Sequence, residues 1–160
     1  MSEQTSISAI IVGASGSIGQ TVCKQLAESG GDAFLIGKSL ERLKELSDMY
    51  GWGFAVADGT DWEQLDGVVS SAEGLLGGIN AAINLPEFPL IRPTHLRTRR
   101  NGDRANDTYL TSASGLMRSC VPRMVAYGGS VVLMSSATTS IVLAGQNPVH
   151  AYRIASLLRI

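Results

Sequence analysis

Short apolar stretches alternate with longer amphipathic stretches along this chain. The short stretches lie at residues 7–12, 33–36, 54–57, 79–84 and 131–134. They contain few polar residues, which is typical of strands that are buried on both faces. The segments between them are long enough to hold a helix, as the connections between parallel strands require. The pattern therefore predicts a parallel sheet.

Between these strands, apolar residues recur at spacings of three and four, which predicts helices. The predicted helices cover residues 17–29, 40–50, 60–72 and 108–127. Their predicted inner faces carry Ile18, Val22 and Leu26; Leu40, Leu43, Leu46 and Tyr50; Leu65, Val68, Val69 and Ala72; and Leu110, Ala113, Met117, Cys120, Val121 and Met124. Ser39 is a predicted N-cap, and Thr60 and Glu63 have capping-box spacing. Strands and helices thus alternate as in an α/β, doubly wound, three-layer fold with about five parallel strands.

The composition is that of one globular domain over residues 1–160, since 44% of the residues are apolar. No apolar stretch reaches the length of about 18 residues that spans a membrane. The N-terminus lacks the pattern of a secretory signal. We therefore expect a cytoplasmic protein without membrane contact, in which Cys23 and Cys120 stay reduced.

The charges are divided unevenly between the two halves of the chain. Residues 1–91 hold 4 basic residues (Lys and Arg) and 12 acidic residues (Asp and Glu), whereas residues 92–160 hold 9 basic and 2 acidic residues. The segment 85–104 is predicted to be an irregular loop, and the basic stretch within it, Arg92–Arg104, either meets an acidic partner or is simply solvated. The stretch lacks the interleaved aromatic residues that stack on bases, so a nucleic-acid partner is not expected.

Three glycines follow the first predicted strand, at Gly13, Gly16 and Gly19. The first permits a tight turn, the second lets a pyrophosphate approach the backbone, and the third lets the helix lie close to the sheet. The N–H groups at the start of that helix favour an anion. The turn therefore predicts a dinucleotide site, and the alternative is a tight turn that binds nothing. The candidate residues are Gly13, Ser15, Gly16, Ser17, Ile18 and Gly19.

The end of the second strand reads Gly37-Lys38-Ser39. A site for NAD usually has an acidic residue there that binds the ribose hydroxyls. A small residue followed by a cation and a hydroxyl suits a ribose 2′-phosphate instead. Lys38 and Ser39 therefore favour NADP(H) over NAD(H), unless Lys38 is only an exposed lysine at a turn.

The chain resembles the short-chain dehydrogenase/reductase family over nearly its whole length. The resemblance rests on Val12–Gly19, Ile36–Lys38, Ala57–Asp61, Ala82–Asn84, Val121–Met124 and Gly129–Ser136. It implies a Rossmann-like fold and an NAD(P)-dependent oxidoreductase acting on a small carbonyl or alcohol. It further implies that Asp58 meets the adenine amino group, that Asn84 lies near the ribose, and that Ser136 binds the reacting oxygen. Otherwise, Ser136 and its neighbour Ser135 only satisfy backbone groups. Gly59, which adjoins Asp58, is a further candidate for cofactor binding.

The sequence also departs from the family pattern. The family's Asn-Asn-Ala-Gly reads Asn84-Leu85-Pro86-Glu87, and Pro86 removes an N–H. Tyr109 occupies the place of an asparagine that relays protons in the family.

The family's catalytic Tyr-x-x-x-Lys motif reads Tyr152 followed by Ser156. Without the lysine cation, Tyr152 is either a poorly tuned proton donor or an aromatic residue that packs on the sheet. The alternative to a working reductase is therefore a catalytically impaired subunit that still binds nucleotide or acts as a scaffold.

The chain ends at Ile160, before the strands that normally complete a domain of this family. We therefore expect the fifth strand, 131–134, to form an apolar edge of the sheet. Such edges are usually covered. This favours a homo-oligomer, most simply a two-fold dimer.

Overall fold

The computed structural model describes residues 6–86, 88, 96, 98–125 and 128–134. The strands are β1 (Ser8–Val12), β2 (Asp32–Gly37), β3 (Gly53–Val56), β4 (Ala81–Asn84) and β5 (Ser130–Leu133). The helices are α1 (Ser17–Glu28), α2 (Leu40–Tyr50), α3 (Trp62–Leu76), α4 (Arg99–Asn106) and α5 (Ser112–Met124). A π-helical turn, Asp107–Thr111, joins α4 to α5 without a break.

The five strands form one parallel sheet in the order β3-β2-β1-β4-β5. The last residue of β1, Val12, pairs with Ile36 on one side and with Asn84 on the other. The chain therefore leaves β1 in one direction and returns to its other side at β4. In open α/β sheets, ligands bind where the strand order reverses in this way, at the carboxyl ends of the strands.

Both faces of the sheet are covered by helices. On one face, Ile10 and Ile36 pack with Leu65 of α3 and Leu116 of α5. On the opposite face, the alternate strand residues pack against α1 and α2, as Ile11 does in a cluster with Cys23 and Leu43. The predicted α/β fold of three layers with a doubly wound parallel sheet is confirmed.

Several residues predicted to face inward are exposed. Ile18 and Leu40 are 41% and 59% exposed. Each lies in the first turn of its helix, whereas Leu26 and Leu43, farther along the two helices, are buried. Val121 is 40% exposed, whereas Leu116 is fully buried. The sheet-facing stripe of α5 therefore runs through Leu116 and Cys120.

The start of α3 differs from the prediction. Its N-cap is Asp61, whose carboxylate accepts a hydrogen bond from the backbone N–H of Gln64. The predicted capping box of Thr60 and Glu63 is wrong, because the Thr60 hydroxyl donates to Asp58 instead. An aspartate is at least as good an N-cap as a threonine, so the helix begins one residue later.

The helix predicted to begin at Thr108 begins earlier. α4 starts at Arg99, where Thr98 and Asn101 form a reciprocal capping box. The part of the predicted loop from residue 99 onward is therefore helical. Pro122 lies inside α5, in its last turn.

The two cysteines are free and fully buried, Cys23 in α1 and Cys120 in α5. Burial raises the pKa of the Cys23 thiol to about 11 and that of the Cys120 thiol to about 12. Within the described part of the chain, no helix has both the length and the apolar character needed to cross a bilayer.

Candidate functional site

A groove of about 480 Å³ opens at the carboxyl ends of β1, β2 and β4. Its lining includes predicted site residues, namely Gly13, Ser15, Gly16, Lys38, Asp58 and Gly59. Other predicted residues lie in the elements around the groove and outside its lining: Ser17, Ile18, Gly19, Ser39 and Asn84. The structure therefore brings the glycine turn and the ends of β2 and β3 together at one groove.

The glycines of the turn are required by close backbone approaches. Gly13 has φ +83°, and a Cβ there would lie 2.7 Å from the carbonyl carbon and oxygen of Leu85. A Cβ on Gly19 would lie 2.4 Å from the carbonyl oxygen of Gly13. Gly13 thus lets β4 pass close to the turn, and Gly19 lets α1 start directly against it.

Gly16 differs from the other two glycines. It is the N-cap of α1 with an extended backbone, φ −74° and ψ 168°, which any residue can adopt. A Cβ there would meet only the Gly13 carbonyl oxygen, at 3.3 Å. The space beside Gly16 belongs to the groove, so its missing side chain leaves room for a ligand.

The first turn of α1 presents backbone N–H groups next to this space. The N–H groups of Ser17, Ile18 and Gly19 have no acceptor within the helix, because they belong to its first turn. Gly16 has no side chain to cap them. Aligned donors at the positive end of a helix bind phosphate well. The turn therefore fits the pyrophosphate of a dinucleotide.

Position 37 lacks the acidic residue that a site for NAD usually has, and a side chain there would have to displace the Ser15 hydroxyl. A Cβ on Gly37 would lie 2.9 Å from the hydroxyl oxygen of Ser15. The following Ser39 is the N-cap of α2, and its hydroxyl accepts from the Arg42 N–H at 3.5 Å. Gly37 and Lys38 both line the groove, and Lys38 is the one that brings a side chain to it.

Lys38 forms an ion pair with Asp58 across the ends of β2 and β3. The Lys38 Nζ lies 2.5 Å from Asp58 Oδ2. The other carboxylate oxygen accepts hydrogen bonds from the backbone N–H and the hydroxyl of Thr60, at 3.1 and 2.9 Å. Burial alone would raise the pKa of Asp58, but the hydrogen bonds from Lys38 and Thr60 and the Lys38 charge together lower it below its ordinary value.

Gly59 also lines the groove. A Cβ there would lie 2.8 Å from a methyl group of Val12 and 3.6 Å from the Cβ of Ser112. Gly59 therefore lets the segment after β3 pass between β1 and α5, which brings Asp58 to the groove.

On the opposite side of the groove, a hydrogen-bonded chain links β4 to the π-helical turn. The Asn84 amide donates to the Ser112 hydroxyl at 3.1 Å, and that hydroxyl donates to the Thr108 carbonyl oxygen. In the π-helical turn the N–H of Ser112 goes to Asp107, five residues back, instead of to Thr108. The Ser112 hydroxyl thus donates to the Thr108 carbonyl oxygen, which would accept from the Ser112 N–H in a regular α-helix.

Asn84 is buried, and its Oδ1 has no hydrogen-bond partner among the described residues. A buried amide oxygen without a partner is destabilising.

The segment after β4 is held by Tyr109. Its hydroxyl donates to the carbonyl oxygen of Phe88 at 3.0 Å and accepts from the N–H of Phe88 at 3.1 Å. The guanidinium carbon of Arg104 lies 4.4 Å from the centre of the Phe88 ring. Phe88 and Arg104 both line the groove, so the residue at the family's relay position helps to form its wall.

The predicted catalytic residues, Ser136 and Tyr152, lie outside the described residues, as does Ser156. Among the described residues, no group of three or more metal-ligating side chains comes together. Sequence reasoning missed several residues of the lining: Thr60, Phe88, Arg104, Asp107, Thr108 and Ser112. Thr60 carried a signal, since an aspartate two residues before a threonine often forms a local turn of this kind.

The family model described as short chain dehydrogenase matches residues 8–152. No curated relative matches the sequence. A short-chain dehydrogenase from Streptomyces avermitilis is 21% identical with a TM-score of 0.85, over 96% of this chain and 56% of that one.

Two solved structures from mycobacteria are also similar to this chain in fold. A short-chain type dehydrogenase/reductase from Mycobacterium marinum is 23% identical with a TM-score of 0.85, over 94% of this chain and 64% of that one. Carveol dehydrogenase from Mycobacterium avium, in complex with NAD, is 24% identical with a TM-score of 0.85, over 94% of this chain and 61% of that one. The chain thus spans less than two thirds of each of these proteins, and it belongs to the short-chain dehydrogenase family.

Proposed function

We propose that this chain binds a nicotinamide dinucleotide in the groove and contributes to the oxidation or reduction of a small alcohol or carbonyl compound. The observation that carries the proposal is the glycine turn. Gly16 leaves open space at the start of α1, and Gly13 and Gly19 hold that start against the strand ends. Membership of the family supports the same conclusion.

Within this proposal the residues of the chain have distinct tasks. A bound nicotinamide supplies hydride-transfer chemistry. The N–H groups at residues 17–19 hold the pyrophosphate, and Asp58 and Gly59 lie along the adenosine. Ser136 holds the carbonyl oxygen and Tyr152 donates a proton to it. Because Ser156 stands where the family has a lysine, Tyr152 lacks the cation that tunes it, and we expect slow turnover or none.

NADP(H) is the proposed preferred cofactor, with NAD(H) as the weaker ligand. Lys38 supplies a positive charge at the end of β2, and Gly37 offers no carboxylate to repel a 2′-phosphate. Charge-assisted contacts of this kind are typically worth about 1 kcal/mol or more. Cofactor binding does not itself require catalysis, so the second form of the proposal is a catalytically impaired subunit that binds the nucleotide or acts as a scaffold.

The test is a calorimetric titration of the purified chain with NADPH and with NADH. We expect both to bind, NADPH more tightly. The variant Gly16→Val keeps an allowed backbone but fills the phosphate space, so it should lose binding while remaining folded. Gly67→Val is the matched control, because Gly67 in α3 has nothing within 4 Å of its Cβ position. Failure of the unaltered chain to bind either cofactor at millimolar concentration would refute the proposal.

The second form of the proposal is decided by turnover. The same protein is mixed with NADPH and a set of simple ketones, and oxidation of the cofactor is followed at its absorbance band. Binding without turnover indicates the impaired subunit. Rates typical of enzymes, about 1 per second or faster, would establish a working reductase and contradict the role assigned to Ser156.

A homodimer is also part of the proposal. Among the described residues, β5 is the outermost strand of the sheet, and its apolar residues Val131, Val132 and Leu133 are each more than a third exposed, as are Val121 and Val125 at the end of α5. Apolar edges of this kind favour association with a partner. Light scattering tests this, and a monodisperse monomer at high micromolar concentration would contradict it.

A further inference from the structure

The charge of Lys38 is paired within the groove. Its ammonium nitrogen lies 2.5 Å from Asp58 Oδ2, and both residues line the groove. The two residues are 20 positions apart in sequence and meet because β2 and β3 are neighbouring parallel strands. The cation that would meet a 2′-phosphate therefore already has an anionic partner.

The carboxylate of Asp58 is the fixed member of this pair. Its Oδ1 accepts hydrogen bonds from the backbone N–H and the hydroxyl of Thr60. Its backbone N–H donates to Gln64 Oε1 at 2.9 Å. The Lys38 side chain is 71% exposed, whereas that of Asp58 is 42% exposed. Asp58 therefore determines where the ammonium group stands.

We propose that Asp58 is a specificity-determining residue that limits the preference of this groove for a phosphorylated dinucleotide by holding Lys38 in an ion pair. The inference rests on the proposed dinucleotide function and deepens it. A 2′-phosphate must share Lys38 with Asp58 or displace it. An exposed ion pair is weak, and a phosphate monoester carries close to two negative charges, so the pair moderates binding of NADP(H) without preventing it.

With this ion pair, we expect the groove to accept both cofactors. With NADH, Lys38 stays on Asp58 and the ribose hydroxyls meet a locally neutral surface. With NADPH, the ammonium group turns to the phosphate, and Asp58 keeps only its hydrogen bonds from Thr60. The ratio of the two affinities therefore depends on how strongly Asp58 retains Lys38.

The experiment measures the dissociation constants of NADPH and NADH for the unaltered chain and for Asp58→Asn, Lys38→Met and the double variant. Any loss of an adenine contact at residue 58 affects both cofactors equally and cancels in the ratio. We expect Asp58→Asn to raise the preference for NADPH about fivefold, as for release of an exposed ion pair. In the Lys38→Met background, the same substitution should change the ratio less than about twofold.

Two further variants complete the test. Glu28→Gln releases Lys24 from an exposed but longer ion pair of 3.9 Å, in α1 and outside the groove lining, so it should leave the ratio unchanged. Thr60→Val keeps both charges of the pair but removes a hydrogen bond that stabilises the Asp58 carboxylate once Lys38 leaves it, so it should shift the ratio toward NADH by a smaller factor.

The outcomes that overturn the inference differ from those that overturn the proposed function. If both cofactors bind and Asp58→Asn leaves the ratio unchanged, the inference is wrong and the proposed function stands. An equal shift with and without Lys38 would show that Asp58 repels the phosphate directly and does not act through the ion pair, which also overturns it. If the unaltered chain binds neither cofactor, the proposed function and the inference both fail.

Discussion

The two sides of the groove are built in different ways. On the α1 side, backbone atoms form the surface, and glycines at 13 and 19 permit contacts that a Cβ would prevent. On the β4 side, side chains connect segments that are far apart in sequence, as Asn84 does with Ser112 and Tyr109 with Phe88. The first side is specified by consecutive residues, whereas the second depends on the whole fold bringing its parts together.

The largest expected effect comes from adding one carbon to the backbone-built side. A Cβ on Gly19 would lie 2.4 and 2.6 Å from the carbonyl oxygens of Gly13 and Ala14, and backbone atoms cannot turn away as side chains do. We expect Gly19→Ala to lower the free energy of unfolding by about 3 kcal/mol, measured by urea denaturation.

Gly67→Ala is the control for that measurement. It adds the same carbon inside α3, where nothing lies within 4 Å, and should raise stability by about 0.5–1 kcal/mol. Equal effects of the two substitutions would show that the close approach at Gly19 is unimportant.

On the side built from side chains, the corresponding test is Ser112→Ala. It removes the acceptor of the buried Asn84 amide and the donor to the Thr108 carbonyl. We expect a loss of about 2 kcal/mol, since buried polar groups are left without partners. Ser71→Ala in α3 removes a hydroxyl with the same four-residue contact to a carbonyl, but an exposed one. If Ser71→Ala lowered the free energy of unfolding as much as Ser112→Ala does, burial of the hydrogen bonds would not be the cause.

A smaller effect is expected from Tyr109→Phe. The change removes both hydrogen bonds to the Phe88 backbone and keeps the buried ring. We expect unfolding to become easier by about 1 kcal/mol. Hydrogen exchange should show faster exchange at the Phe88 amide, with that at the Gly13–Gly19 turn unchanged. Equal acceleration at both would mean that the two sides of the groove are not independent.

The smallest effect concerns the exposed pair of Lys38 and Asp58. The pKa of Asp58 is lowered in the folded chain, so its charged form stabilises the fold. That contribution is present above the unfolded pKa of about 3.9 and is lost as the pH falls through the lowered folded value. The unaltered chain should melt slightly above Asp58→Asn at pH 7. The difference should disappear in strong acid, and a difference that grows there would contradict this assignment.

The sequence predicts the α1 side of the groove better than the β4 side, for physical reasons. Gly13, Gly16 and Gly19 act on neighbours in the chain, so their spacing carries the geometry. The pairing of Lys38 with Asp58 requires knowing that β2 and β3 are adjacent, which no local pattern gives. Tyr109 was predicted to occupy a relay position, but the π-helical turn and the contact with Phe88 had no sequence signal.

Two errors have local causes. The start of α4 was missed because Arg99–Asn106 has no apolar stripe, and Ala105 is its one buried residue. Periodicity therefore could not find a helix that is mostly solvated. The cap of α3 was misplaced because Thr60 and Asp61 are both good N-caps, and the competing bond of Thr60 to Asp58 decides between them.

We propose that the glycine turn holds the phosphates of a dinucleotide. This is tested most directly by the change in backbone amide chemical shifts of ¹⁵N-labelled protein as NADPH is added. We expect saturable shifts at the amides of Gly13–Gly19, joined by those of Gly37–Ser39 and Asp58–Thr60. No shifts at the turn, or shifts confined to a distant element such as β5, would contradict it.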